Sequence, residues 1–226
     1  MTPPRRRYNV AMRVVSVNVG EPRPVSYRGK TVQTGIWKSP VAGPVDIVGD
    51  NLVGDRQADL RVHGGRDKAI YGYPSEHYAW WRERLPDADL GWGAFGENLT
   101  VEGLREDVVR IGDRYRIGGA ELTVTQPRTP CFKLGIKFSR PQIVKEFLRS
   151  ERSGFYFAVL RPGPIAAGDP ITLLHTDPES LTVTDLVRLG IAGDDADPAL
   201  LARAAALPGL AAVWREELGE RLATRG

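Results

Sequence analysis

Cysteine is almost missing from this chain. Cys131 is the only one among 226 residues, so no intramolecular disulfide, all-cysteine zinc site or cysteine-held iron–sulfur cluster can form within it. Any redox chemistry therefore has to import its cofactor or its electrons. Long apolar runs are missing too: no stretch approaches the roughly 18 residues that a membrane-spanning helix needs. The N-terminal Met1–Arg7 is basic, but the residues after it are too few and too polar for a signal-peptide core. The expected location is the cytoplasm. A strong excess of either charge sign is missing as well; a net +3 admits an anionic ligand without indicating nucleic acid. No dinucleotide-binding glycine fingerprint is present.

What is there reads as short strands between turns. Arg13–Val19 alternates and is rich in β-branched residues, which predicts a strand ending at Gly20. Glu21–Tyr27 holds two prolines and reads as a loop. Lys30–Ile36 and Val45–Val48 read as strands, and Gly49–Arg56 as turns. Ala58–Val62 runs into His63-Gly64-Gly65, where paired glycines let a ligand approach the backbone or simply make a turn. Ser75–Leu85 has helical spacing with Ser75 as its cap. Gly91–Val101 is glycine-rich and then becomes a strand, and further strands are expected at Arg114–Ile117, Glu121–Thr125, Gly154–Leu160 and Pro170–Leu174. A helix opens at Ser139-Arg140-Pro141. The sum is a mainly β fold with helices, a barrel or sandwich rather than βαβ units.

Composition shifts near Thr176-Asp177-Pro178. Beyond it three short helices are expected, at about Thr184–Leu189, Pro198–Leu207 and Leu210–Leu222. So small a piece needs the main body to pack against. Its last two helices are alanine-rich or carry Glu216, Glu217 and Glu220, so no basic recognition face for nucleic acid forms.

Cys131 lies in Thr125-Gln126-Pro127-Arg128-Thr129-Pro130-Cys131-Phe132-Lys133-Leu134. Two prolines stiffen this stretch, and Arg128 and Lys133 flank the thiol. Nearby cations favour the thiolate, which is both the nucleophile and the metal ligand. Read alone, a single cysteine is equally a small buried hydrophobe.

Five ordered motifs break that tie. Lys38-Ser39, Gly54-Asp55-Arg56, His63-Gly64-Gly65-x-Asp67-Lys68-Ala69, Phe95-Gly96-Glu97-Asn98-Leu99-Thr100 and Pro127-Arg128-x-Pro130-Cys131 resemble a MOSC domain. More narrowly, the chain is similar to the YiiM-type proteins associated with resistance to 6-N-hydroxylaminopurine. The resemblance covers about residues 12–175 and implies a MOSC domain over 1–176, followed by a small three-helix domain over 177–226. It implies a β-barrel-like fold that holds a molybdenum cofactor (Mo-molybdopterin) with Cys131 as the metal ligand. It also resembles, more distantly, the mitochondrial amidoxime-reducing component. From that likeness Lys38, Ser39 and Arg56 are expected to hold the cofactor's phosphate and pterin. Asn98 matches a cofactor-site asparagine, although the arginine near it in that relative is absent here.

Around these, His63 is expected to donate to the pterin or to move protons, with Gly64, Gly65 and Lys68 beside it. Arg128 and Thr129 are expected to hold the pterin edge or tune the sulfur. The implied function is an oxidoreductase that reduces N-hydroxylated compounds, hydroxylaminopurine-type bases included. An external reductase, flavin or iron–sulfur, would supply its electrons. The alternatives are a non-catalytic cofactor carrier and a sulfur-transfer domain with a persulfide on Cys131. Neither nucleic acid nor a membrane is an expected partner, and a homodimer is left open.

Overall fold

The structure is a computed structural model and describes residues 11–58 and 64–224. Its centre is an eight-stranded sheet. In hydrogen-bonded order this runs β12 (Ile171–His175), β9 (Arg114–Ile117), β10 (Ala120–Pro127), β11 (Phe155–Arg161), β7 (Ile70–Pro74), β8 (Leu99–Glu102), β1 (Arg13–Val19) and β4 (Ser39–Pro40). Every neighbouring pair is antiparallel except β7 and β8. The ladder stays open, but the sheet curls until its far sides meet. Arg13 bridges Pro170, and Val14 N donates to Asp169 O at 2.9 Å while Ile171 N donates to Met12 O at 2.9 Å. The protein is thus mainly β with helices, barrel-like in curvature without a closed ladder.

Alternation explains the inner face. Val14, Val17, Leu99, Val101, Tyr115, Ile117, Leu122, Val124, Phe155 and Phe157 are all buried. Each contributes on the order of 1.5–3 kcal/mol by leaving water. A second cluster gathers Tyr73, Tyr78, Trp81, Phe95 and Phe147. It is built where α1 (His77–Arg84), α2 (Phe132–Lys137) and α3 (Ile143–Arg149) cover the sheet beside Cys131.

The three expected helices at the C-terminal end are α4 (Val183–Ala192), α5 (Pro198–Ala205) and α6 (Ala212–Ala223). Val183, Leu186, Leu189, Leu201 and Leu218 join the same hydrophobic cluster as the sheet. A capping box between Thr182 and Asp185 starts α4. Ala211 N donates to Thr125 O at 3.1 Å, which ties the start of α6 to the strand that leads to the cysteine. No helix among the described residues is long and apolar enough to cross a membrane.

Three local expectations change. Glu21–Tyr27 is not wholly a loop: Arg23–Tyr27 forms β2, paired with β3 (Lys30–Thr34) in a hairpin of its own, with Pro24 opposite Gln33. A two-stranded ribbon leaves outer backbone groups to solvent, so it tolerates a proline that a central strand would not. Strand β10 runs on through Pro127 after a register shift between Val124 and Gln126. Finally, α2 starts directly after Cys131, where the sequence predicts no helix. The stretch Ala58–Val62 lies largely outside the described residues.

Candidate functional site

Where β10 ends, Arg128 N donates to Gly154 O at 3.2 Å, and the chain then reaches Cys131 in an extended conformation (φ −124°, ψ 173°). Cys131 occupies the cap position of α2, and Leu134 N donates to its carbonyl at 3.0 Å. The residue is half-buried and faces a cleft of about 100 Å3. Thr34, Gly35, Ile36, Lys38, Asp55 to Ala58, Lys68, Tyr71, Asn98, Arg128, Lys133 and Tyr156 contribute to this cleft.

Two of its cations are deeply placed. Arg128 is 7% exposed and sits over the rings of Phe147 (5.0 Å) and Tyr71 (5.5 Å). Its Nη1 is buried without a hydrogen-bond partner among the described residues. A guanidinium nitrogen left so carries a desolvation cost that a bound acceptor would remove. Lys133 is 9% exposed, and its ammonium has no hydrogen-bond or ion-pair partner among the described residues. The hydroxyl of Tyr156 is raised above its ordinary pKa by burial, an effect that Arg128 opposes.

The opposite role, that of a rigid frame, falls to Asp55 and Glu97. Asp55 Oδ1 accepts from Lys38 Nζ and, at 2.9 Å, from Gly20 N, while Oδ2 accepts from Asn98 Nδ2 at 2.8 Å. Burial pushes the Lys38 pKa down, and Asp55 opposes that shift. Asn98 Oδ1 accepts from Tyr71 N at 3.1 Å, so this amide is engaged with the protein on both its ends. Glu97 is fully buried and accepts from Tyr78 OH, Gly93 N (2.8 Å), Phe95 N (3.1 Å) and Thr100 Oγ1 (3.0 Å). Burial raises its pKa, which these donors counter.

Of the residues singled out in the sequence, the fold brings Lys38, Arg56, Lys68, Asn98, Arg128 and Cys131 around one cleft. Arg56 is its exposed member, 3.8 Å from Glu21. Burial lowers the pKa of Lys68. Ser39 lies in β4 and faces a neighbouring trough instead. Gly64 and Gly65 precede a short 3-10 turn (Arg66–Lys68), and Thr129 is exposed; none of these three lines the cleft. His63 lies outside the described residues.

Sequence reasoning passes over Lys137. Its Nζ donates to Gly93 O at 2.8 Å and Ile36 O at 3.0 Å, joining the loops that carry Glu97 and Lys38. Burial lowers its pKa to about 8. The signal is present in the spacing of Lys133 and Lys137, four residues apart, but it has meaning only on a helix, and the sequence does not announce α2.

A curled sheet-dominated body, a lone cysteine in a cationic cleft and three trailing helices define the class. Residues 59–172 match the MOSC domain, and residues 182–225 match the YiiM-like, 3-alpha helix domain. The chain belongs to the MOSC domain family. It is 44% identical over 170 residues to "Uncharacterized protein YflK" of Bacillus subtilis, covering 75% of this chain and 76% of that one. The crystal structure of YiiM from Geobacillus stearothermophilus superposes with a TM-score of 0.78 at 38% identity, over 93% of this chain and 99% of that one. A Gibberella moniliformis protein named "Reductase" is 37% identical over 164 residues, 71% of this chain but only 29% of its own length.

Proposed function

We propose that this chain is a MOSC-type oxidoreductase that holds a molybdenum cofactor through Cys131 and reduces N-hydroxylated compounds, base analogues among them. The observation that carries the reading is the pairing of the single cysteine with the buried Nη1 of Arg128, which has no partner among the described residues, in one cleft. The donor set fits such a group. A soft thiolate suits molybdenum better than a hard carboxylate would. Arg128, Lys133, Lys68 and Arg56 supply positive charge for an anionic cofactor, as charge-assisted hydrogen bonds require. Lys38, which lines both the cleft and the trough beside it, and Ser39, which lines the trough, are assigned to the cofactor's phosphate. The fungal relative's name, "Reductase", supports the reaction class.

Reduction of R–NHOH to R–NH2 takes up two electrons and two protons and releases water. When bound, the cofactor supplies the two-electron exchange; a separate reductase of flavin or iron–sulfur type supplies the electrons. The chain's own residues bind and orient. Asp55 and Asn98 keep Lys38 in place, Cys131 is directed into the cleft by the start of α2, and Arg128 offers to an acceptor there the N–H that has no partner among the described residues. His63 and Lys68 are assigned to the cofactor's edge, with His63 also able to move a proton at neutral pH.

The test is Cys131→Ser in a host that makes the cofactor. The variant should fold, contain no molybdenum by elemental analysis and reduce no hydroxylamine with an artificial donor. Full molybdenum content and activity in the variant would sink the proposal. A fully loaded native protein that reduces nothing would leave a carrier, and added sulfur on Cys131 by mass spectrometry would mark sulfur transfer.

A further inference from the structure

Next to the Cys131 cleft, and sharing Lys38 with it, lies a larger trough of about 670 Å3. That size is typical of small-ligand sites. Its lining combines two chemistries. Trp37, Trp92 and Phe138 bring aromatic rings, while Lys137, Ser139 and Arg140 bring donors from the end of α2 and the turn after it. We propose that this trough binds a nucleoside monophosphate, with the base against the aromatic rings and the phosphate on Lys137 and Arg140. The substrate of the reaction proposed above would then be a nucleotide rather than a free base. That last step rests on the reductase reading; the binding itself does not.

Lys137 carries the argument. Two of its N–H groups are spent on Ile36 O and Gly93 O, which fixes the ammonium in the wall of the trough. Its third has no acceptor among the described residues. Glu97, the carboxylate that acts on it most strongly, is already held by Tyr78, Gly93, Phe95 and Thr100. Lys38 and Arg128 add positive charge around it. An anion is therefore what this wall lacks. Arg140 is paired with Glu146 at 2.7 Å, but both side chains are substantially exposed, and such pairs hold weakly enough to give way to a phosphate dianion.

The aromatic side is also prepared. Arg23 covers the Trp37 ring at 3.8 Å, and Trp92 stands edge-on to Tyr78 at 4.6 Å, so both rings are held before a ligand arrives. Every base has a face that stacks on such rings. Asp87 and Asp89 also line the trough and suit the exocyclic N–H donors of a base better than a second anion.

A phosphorylated planar heterocycle can come from the substrate or from the cofactor's own pterin phosphate, and the experiment separates the two. Calorimetric titrations use the full chain, with and without bound molybdenum cofactor, against AMP, adenosine and inorganic phosphate. AMP should bind at least about tenfold more tightly than adenosine or phosphate, in both forms of the protein. Lys137→Met should cost about tenfold in AMP affinity and leave adenosine unchanged, and Arg140→Ala, at a half-exposed site that tolerates truncation, should cost less in the same direction. Equal affinity for AMP and adenosine, no effect of either variant, or loss of AMP binding when the cofactor is loaded would each overturn the proposal. AMP binding without turnover of either N-hydroxylated AMP or free hydroxylaminopurine supports the site while removing the reductase reading. Turnover of free hydroxylaminopurine without AMP binding does the reverse.

Discussion

The side-chain amide of Asn98 donates to Asp55 Oδ2 at 2.8 Å, and through it strand β8 is tied to the loop that carries Asp55. The same carboxylate accepts from Gly20 N and Lys38 Nζ, so three stretches of chain converge on one buried anion. Asp55 is therefore a support for Lys38 rather than a free ligand. The gain is positional: a long, flexible side chain is held at the boundary of cleft and trough.

Asn98→Ala should cost about 2–3 kcal/mol, because it strips a donor from buried Asp55 and an acceptor from Tyr71 N. Asn98→Asp should be at least as damaging at neutral pH, since it sets a second carboxylate against Asp55, and acid should relieve it. Urea denaturation at pH 7 and pH 5 checks both. An Asn98→Asp variant as stable as the native protein at pH 7 would refute the assigned geometry.

Much of this frame is legible in the sequence, and the remainder is hidden for physical reasons. Period-two alternation marks Arg114–Ile117 because it presents one face to the core, whereas Arg13–Val19 is marked by its β-branched residues, and a bulge between Val14 and Ser16 leaves Ser16, Val17 and Asn18 all buried. Glu21–Tyr27 reads as a loop because Pro22 and Pro24 argue against a strand, yet the hairpin formed by Arg23–Tyr27 stands outside the main sheet, where that penalty lapses. Helix α2 is only six residues long and has Gly135 inside it, so neither propensity nor periodicity announces it. With it goes Lys137. Cys131 and Arg128 are found through their neighbours in the motif. That Arg128 is buried, with Nη1 unpaired among the described residues, depends on Tyr71 and Phe147, far off in sequence.

Lys137 should give the protein a signature in alkali. Its pKa is about 8 when folded, against 10.5 for an ordinary lysine. Below pH 8 both states are protonated and the buried charge is a full penalty. Between pH 8 and 10.5 the unfolded chain holds the proton that the folded one has released, so stability rises with pH. Relative to Lys137→Met, the native protein should gain about 2 kcal/mol between pH 8 and pH 9.5. The buried tyrosines 71, 73, 78 and 156 have raised pKa values; they contribute stability that is lost above the ordinary tyrosine range, equally in both proteins. A difference that stays flat from pH 7 to 9.5 would contradict the burial of the ammonium.

Thr182→Ala removes the hydroxyl that accepts from Asp185 N at 3.1 Å and breaks the capping box of α4. The expected loss is about 1 kcal/mol. Because Val183, Leu186 and Leu189 share one hydrophobic cluster with the sheet, the loss should appear in the whole unfolding transition. Circular dichroism and tryptophan fluorescence should report the same shifted midpoint. Two separate midpoints would show that the three helices unfold on their own.

Besides Thr34, which lines the cleft, the hairpin of β2 and β3 reaches the cysteine's neighbourhood through a ring stack. Tyr27 lies on Phe132 with ring centroids 5.1 Å apart, and Phe132, next to Cys131, is itself 42% exposed. Both hairpin strands are otherwise largely exposed, so Tyr27→Ala should cost at most about 1 kcal/mol of stability, the usual worth of an aromatic pair beyond its buried area. Its effect should fall on access. Without the stack, the hairpin no longer rests on the start of α2, and the half-buried thiol becomes easier to reach. Alkylation of Cys131 in the metal-free protein, followed by mass spectrometry at fixed pH, should run several-fold faster in Tyr27→Ala, whereas Tyr27→Phe, which keeps the ring, should match the native rate. Equal rates in all three proteins would mean that the hairpin does not shield the cysteine, and that the cleft itself limits its reaction.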